Sequence, residues 1–96
     1  MAKIKVAVAG CLGRMGQEIS KQIINNNKLE FVGGFEYKTH KDINKQFKNV
    51  SDINSTKIID SNPIISIKLA SVLIDFTTPK STLDNVKIAS QNKTAI

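Results

Sequence analysis

Ninety-six residues suffice for one domain with a single modest core, and 41% hydrophobic against 23% charged residues places the chain among folded proteins and excludes a disordered one. Thirteen Lys and one Arg against eight acids leave a net charge of +6. The lysines are scattered from Lys3 to Lys93 without a block, and five aromatics are few for base stacking, so the charge reads as a solvated surface and not as a nucleic-acid footprint.

Residues 3–9, KIKVAVA, form a short β-branched run closed by Gly10, the pattern of a strand buried on both faces of a parallel sheet. The same run is too short for a signal-peptide core, and no stretch approaches the roughly 18 apolar residues of a membrane span, so no membrane partner is expected. From residue 14 to about 26, Met15, Ile19, Ile23 and Ile24 recur at helical spacing and predict an amphipathic helix. A second strand over 29–36 contains Gly33 and Gly34, compatible with another group lying close. Residues 37–50 are polar and lysine-rich and predict a loop, with room for a helical turn over 42–47. KIID at 57–60 predicts a third strand, and a capped helix runs from Ser61 or Asn62 through Pro63 to about Lys68. A fourth strand over 71–76 is followed by Thr78 and Pro79, a capping hydroxyl before a residue preset for the first turn, with Leu83, Val86 and Ile88 as the apolar face of a helix to Gln91. A last strand starts at 93–96. Strands alternating with helices imply right-handed crossovers and a doubly wound, Rossmann-like α/β sheet of order 3-2-1-4-5.

The chemistry is concentrated in VAVAGCLGRMGQEI, where Gly10, Gly13 and Gly16 join the first strand to the first helix. A dinucleotide pyrophosphate is held by backbone N–H groups at the positive end of a helix, within a distance that a Cβ would obstruct. The spacing here is G-x-x-G-x-x-G, one residue longer at its start than the common dinucleotide fingerprint. Such a site also needs an acid about twenty residues past the last glycine for the adenosine ribose hydroxyls, and Glu36 stands twenty residues after Gly16. Lys38 is placed to meet a 2′-phosphate, which leaves NADH and NADPH both open as cofactors. Arg14, the sole arginine, sits where its guanidinium could reach a phosphate, the alternative being a surface cation. Cys11 could be an activated thiol at a helix start, or simply a small residue filling the turn. One cysteine permits neither an internal disulfide nor a thiolate metal site, and His40 has no partner at ligand spacing, so no metal is expected and a reducing, cytoplasmic setting is. Phe76, Thr77 and Thr78 stand at the end of the fourth strand, at the edge where such sheets bind ligands, and the two threonine hydroxyls could meet the ribose or the nicotinamide end or cap the next helix.

Two segments resemble the 4-hydroxy-tetrahydrodipicolinate reductase family of bacterial lysine biosynthesis: AVAGCLGRMG, with its Gly-Arg-Met-Gly turn, and VLIDFTTPKSTLDNV, similar to that family's Ile-Asp-Phe-Thr-x-Pro segment. The resemblance runs over the whole chain. It implies cofactor contacts at Gly10, Cys11, Leu12, Gly13, Arg14, Met15, Glu36, Phe76 and Thr77, and hydride transfer from NADH or NADPH to a cyclic unsaturated dicarboxylate. It also implies a homotetramer built through a C-terminal domain that would follow Ile96, so that residues 1–96 form an incomplete dinucleotide-binding domain without catalytic residues and without activity of its own. Tyr37 stands where the family often carries an arginine, with Lys38 as a substitute cation. Two other readings compete: a stand-alone nucleotide-binding or redox-sensing module on the same fold, and a basic nucleic-acid binder whose binding would fall steeply with salt.

Overall fold

The structure is a computed structural model that describes residues 3–96, the side chain of Pro79 aside; Met1 and Ala2 lie outside the described residues. Strand β1 (Ile4–Ala9) leads into helix α1 (Arg14–Asn25), and β2 (Leu29–Phe35) follows. A four-residue helix α2 (Phe47–Val50) and α3 (Pro63–Leu69) precede β3 (Val72–Asp75), and α4 (Pro79–Gln91) comes last. All three strands are parallel in the order β2-β1-β3. The register pairs Ala9 with Phe35 on one side and with Asp75 on the other, so all three strands end level. Between Val6 and Ala7 the β1–β2 register slips by one residue.

Alternation along β1 assigns its residues to two cores. Val6 and Val8 join Ile23 of α1, Phe31, Phe47, Ile53 and Ile59 on one face, while Ala7 and Ala9 join Val32, Ile67 of α3, Leu73 and Ala89 of α4 on the other. Helices therefore cover both faces, which makes the fold a doubly wound, Rossmann-like α/β sheet. The small alanines face two helices that pack on each other, and the valines face one helix plus the excursion between β2 and α3.

The two outer strands read from the sequence are reduced to single bridges. Residue 60 pairs with Phe35, and Ala95 with Val72, both parallel, so the spatial order matches the expected 3-2-1-4-5 with its edges cut short. Residues 57–59 spend their backbone elsewhere: Phe47 N–H donates to Lys57 O at 3.1 Å, Asn44 N–H to Ile59 O at 2.9 Å and Ile59 N–H to Lys45 O at 2.9 Å. They form an antiparallel clasp with the loop before them, centred on the Gln46–Ile58 bridge, and not a sheet strand. At the other edge Thr94 is held down by its hydroxyl, whose one proton is shared between Ile67 O at 2.9 Å and Ala70 O at 3.1 Å at the end of α3.

Several expected boundaries and faces are corrected. Lys3 and Asn26 fall outside β1 and α1, Glu36 lies one residue past β2, and the predicted turn over 42–47 begins as a helix only at Phe47. Met15 is 56% exposed, because α1 turns Gly16, Ser20 and Ile23 inward instead. On α4, Leu83 is 66% exposed and Val86 also faces outward, whereas Asn85 and Ala89 are buried. Of the apolar stripe chosen from the sequence, Leu83 and Val86 thus lie on the outer face of α4, while Ile88 packs against the core. Among the described residues no helix is long and apolar enough to cross a membrane.

Candidate cofactor-binding cleft

Because the strands end level, the turns after β1, β2 and β3 converge at one edge of the sheet. They enclose a cleft of about 690 Å³ lined by Gly10, Gly13, Glu36, Tyr37, Lys38, Phe76, Thr77 and Thr78, with Ser61, Pro63, Ser81, Asp84 and Asn85 completing it. Backbone hydrogen bonds set the turns against one another: Gly10 N–H donates to Phe35 O and Phe76 N–H to Ala9 O, both at 3.0 Å.

The three glycines of the first turn do different work. Gly10 has φ +71°, and a Cβ there would stand 2.9 Å from Phe76 O. A Cβ on Gly16 would fall inside the carbonyl oxygen of Gly10 and within 2.9 Å of the Cys11 Cα, so this glycine lets α1 pack against its own turn. Gly13 has ordinary extended backbone as the N-cap of α1, and a Cβ there would meet nothing nearer than Gly10 O at 3.4 Å. The protein's own packing therefore explains Gly10 and Gly16 but not Gly13. No side chain caps α1 at Gly13, and its first turn holds no acid, so the positive end of this 12-residue helix is open where the cleft begins.

Glu36 follows β2 directly and is half-buried. Its Oε2 accepts the Leu12 N–H at 2.7 Å, tying the end of the second strand to the glycine turn. Across the cleft, Asp75 Oδ1 accepts the Thr77 N–H at 2.8 Å and the Thr77 hydroxyl at 2.5 Å, and Oδ2 accepts Asn85 Nδ2–H at 3.1 Å. Asn85 is 2% exposed and reaches back from the second turn of α4. Burial alone would raise the Asp75 carboxyl, but the hydrogen bonds from Thr77, Asn85 and Thr82 outweigh it and hold the group below its ordinary value. A depressed native value contributes stability that is present above the unfolded-state pKa and is lost as pH falls through the native one. In thermal melts the wild-type chain should therefore lose stability relative to Asp75→Asn between about pH 5 and about pH 3, the two being furthest apart near neutrality. A constant gap across that window would contradict the assigned network.

Six of the ten residues expected to bind cofactor line the cleft: Gly10, Gly13, Glu36, Lys38, Phe76 and Thr77. Cys11, Leu12, Arg14 and Met15 do not. Cys11 is fully buried, and a Cβ on Gly34 would sit 2.8 Å from its own Cβ. Burial, and then the Glu36 charge, push its thiol far up, so Cys11 is a neutral core residue and not an activated thiol. Leu12 packs on the same core and offers the cleft no side chain. Arg14 and Met15 point to solvent from the first turn of α1. Gly33 and Gly34 make room for Ser66 on one side and for Cys11 and Phe47 on the other, all of them protein groups. Thr78 caps α4, accepting the Ser81 N–H at 3.4 Å. Of the lining residues that the sequence reading did not assign to the site, Ser81 and Asn85 continue from Thr78 at spacings of three and four, a polar stripe on α4 that an apolar pattern does not reveal.

A parallel doubly wound sheet with a glycine turn opening on a helix N-terminus at its carboxyl edge defines a nucleotide-binding domain of Rossmann type. Comparison with known proteins makes this specific. The family described as dihydrodipicolinate reductase, N-terminus, matches residues 4–96, and the chain belongs to that family. It is 39% identical over 93 residues to 4-hydroxy-tetrahydrodipicolinate reductase of Pelagibacter ubique, covering 97% of this chain and 32% of that protein. It is 36% identical over 94 residues to the reductase of the same name from Wolbachia pipientis wMel, covering 98% and 36%. Among solved structures, dipicolinate-bound dihydrodipicolinate reductase from Paenisporosarcina sp. TG-14 superposes with a TM-score of 0.67 at 28% identity, over 97% of this chain and 36% of that one. The chain thus spans about a third of the length of these relatives.

Proposed function

We propose that this domain binds a nicotinamide dinucleotide, NADH or NADPH, across the carboxyl edge of its sheet. In a longer reductase it would present that cofactor to a small cyclic dicarboxylate. The observation that carries the reading is Gly13: the one glycine of the turn that the protein's packing does not require faces the cleft at an uncapped helix start. There a phosphate pair could come against the backbone N–H groups of Arg14 and Met15, the Gly13 N–H being donated to Gly10 O. Glu36, an acceptor only, suits ribose hydroxyls. The Thr77 hydroxyl has its proton committed to Asp75, so it faces the cleft as an acceptor for an amide or hydroxyl donor at the other end.

When bound, the nicotinamide supplies a hydride; the residues present here hold and orient it. The dipicolinate in the Paenisporosarcina structure supports a dicarboxylate substrate, and the names of the relatives support a step of lysine biosynthesis; a cytoplasmic homotetramer is part of the same proposal. No residue of this cleft is assigned a catalytic role, and the 96-residue chain alone should turn over no substrate. Calorimetric titration of the chain with NADH and NADPH, with Glu36→Ala as control, tests the reading. Saturable binding weakened by the variant is expected; the absence of heat with either nucleotide from a chain shown to be folded would refute it.

A further inference from the structure

Beyond Gly13 the wall of the cleft carries Glu36, Tyr37 and Lys38. Glu36 is pinned by the Leu12 N–H, which fixes the direction of the carboxylate but brings no positive charge. The ion pairs among the described residues are Lys21 with Glu18 and Lys45 with Asp42, so no cation neutralises Glu36. Next to it Tyr37 lines the cleft, 65% exposed, with its ring 5.2 Å from that of His40 at an interplanar angle of 58°. His40 is itself fixed: its N–H donates to Tyr37 O at 2.9 Å and its Nδ1 accepts the Asp42 N–H at 3.1 Å. Lys38 is the one cation of the lining, and its exposure leaves its charge screened by solvent.

We infer that this site selects NADH over NADPH, the pinned Glu36 taking the ribose hydroxyls and Tyr37, braced by His40, forming an aromatic wall for the adenine. The inference rests on the cleft being the dinucleotide site. A ribose 2′-hydroxyl donates to a carboxylate oxygen, whereas a 2′-phosphate presents only acceptors and like charge to it. One screened lysine offsets part of that repulsion. An aromatic ring already held in place loses little freedom when a base stacks on it.

The chain has one tyrosine and no tryptophan, so its intrinsic fluorescence reports on residue 37. Adenosine diphosphate ribose and its 2′-phosphorylated counterpart, which lack the nicotinamide chromophore, are the probes. They are titrated into the wild-type chain and into Glu36→Gln and Tyr37→Leu by calorimetry, with fluorescence followed in the wild type. The unphosphorylated probe should quench Tyr37 and bind at least about tenfold more tightly than the phosphorylated one. Glu36→Gln should shrink that ratio to about threefold or less, mainly by strengthening the phosphorylated probe. Tyr37→Leu should weaken both about tenfold and leave the ratio unchanged. Equal affinity for the two probes, or preference for the phosphorylated one, overturns the selection while leaving the dinucleotide site standing. Wild-type affinity in Tyr37→Leu overturns the aromatic wall, and failure of both probes together with NADH overturns the site itself.

Discussion

Replacing Gly13 by serine should leave the fold as stable as before, or a few tenths of a kcal/mol more so, while weakening dinucleotide binding by a factor on the order of a hundred. Serine is a preferred N-cap residue, the backbone at Gly13 is one any residue adopts, and nothing in the protein obstructs a Cβ there. The same Cβ and hydroxyl would occupy the space in which phosphate oxygens meet the first N–H groups of α1, removing charge-assisted hydrogen bonds of about 1.5–3 kcal/mol. Gly16→Ala should do the opposite. Its Cβ would overlap the Gly10 carbonyl, and because both atoms are tied to backbone, the helix must shift at a cost on the order of 3 kcal/mol. Paired melts and titrations of the two variants separate a glycine kept for a ligand from one kept for packing. Equal losses of stability would show that Gly13 too is structural.

Truncating Phe47 to alanine should cost about 3–5 kcal/mol, a large share of the roughly 5–15 kcal/mol available to a domain. Phe47 is fully buried, meets Phe31 edge-on at 5.3 Å between ring centres, and shares its core with Ile53 and Ile59. It anchors the excursion from Tyr37 to Asp60 under the sheet, and that excursion begins with Tyr37 and Lys38 of the cleft wall. The change is read from the urea midpoint at unchanged slope. A loss below about 1 kcal/mol would mean that the excursion is not part of the cooperative core.

That same excursion marks where the sequence stopped being legible. Strand β1, the glycine turn and α1 could be read because each signal is local: a β-branched run, glycines at fixed spacing, and apolar residues at helical period. The position of Glu36 twenty residues past Gly16 was legible for the same reason, and the structure adds the Leu12 contact that no spacing reveals. Residues 37–50 read as a polar loop and 57–60 as a strand; the core they share stays hidden because Phe47, Ile53 and Ile59 recur every six residues, a period that matches neither helix nor strand. Their partners, Phe31 and the bare backbone of Gly34, come from another element. On α4 the pattern misled outright. Leu83 and Val86 look like a core face, but the sheet beneath offers the polar end of Asp75, which Asn85 satisfies, and Ala89 fits where two helices meet. In the turn itself the resemblance implies contacts along the whole run from Gly10 to Met15 and does not distinguish residues open to the cleft from Cys11 and Leu12, whose side chains belong to the core.

The most direct test of the dinucleotide site is amide NMR of the isotopically labelled chain during titration with NADH. The largest shifts should fall on Gly13, Arg14 and Met15 at the start of α1, on Glu36 to Lys38, and on Phe76 and Thr77, while Asn25 to Lys28 at the far end of α1 stay still. Shifts spread over the scattered lysines, or confined to the far end of α1, would contradict a dinucleotide held at this edge of the sheet.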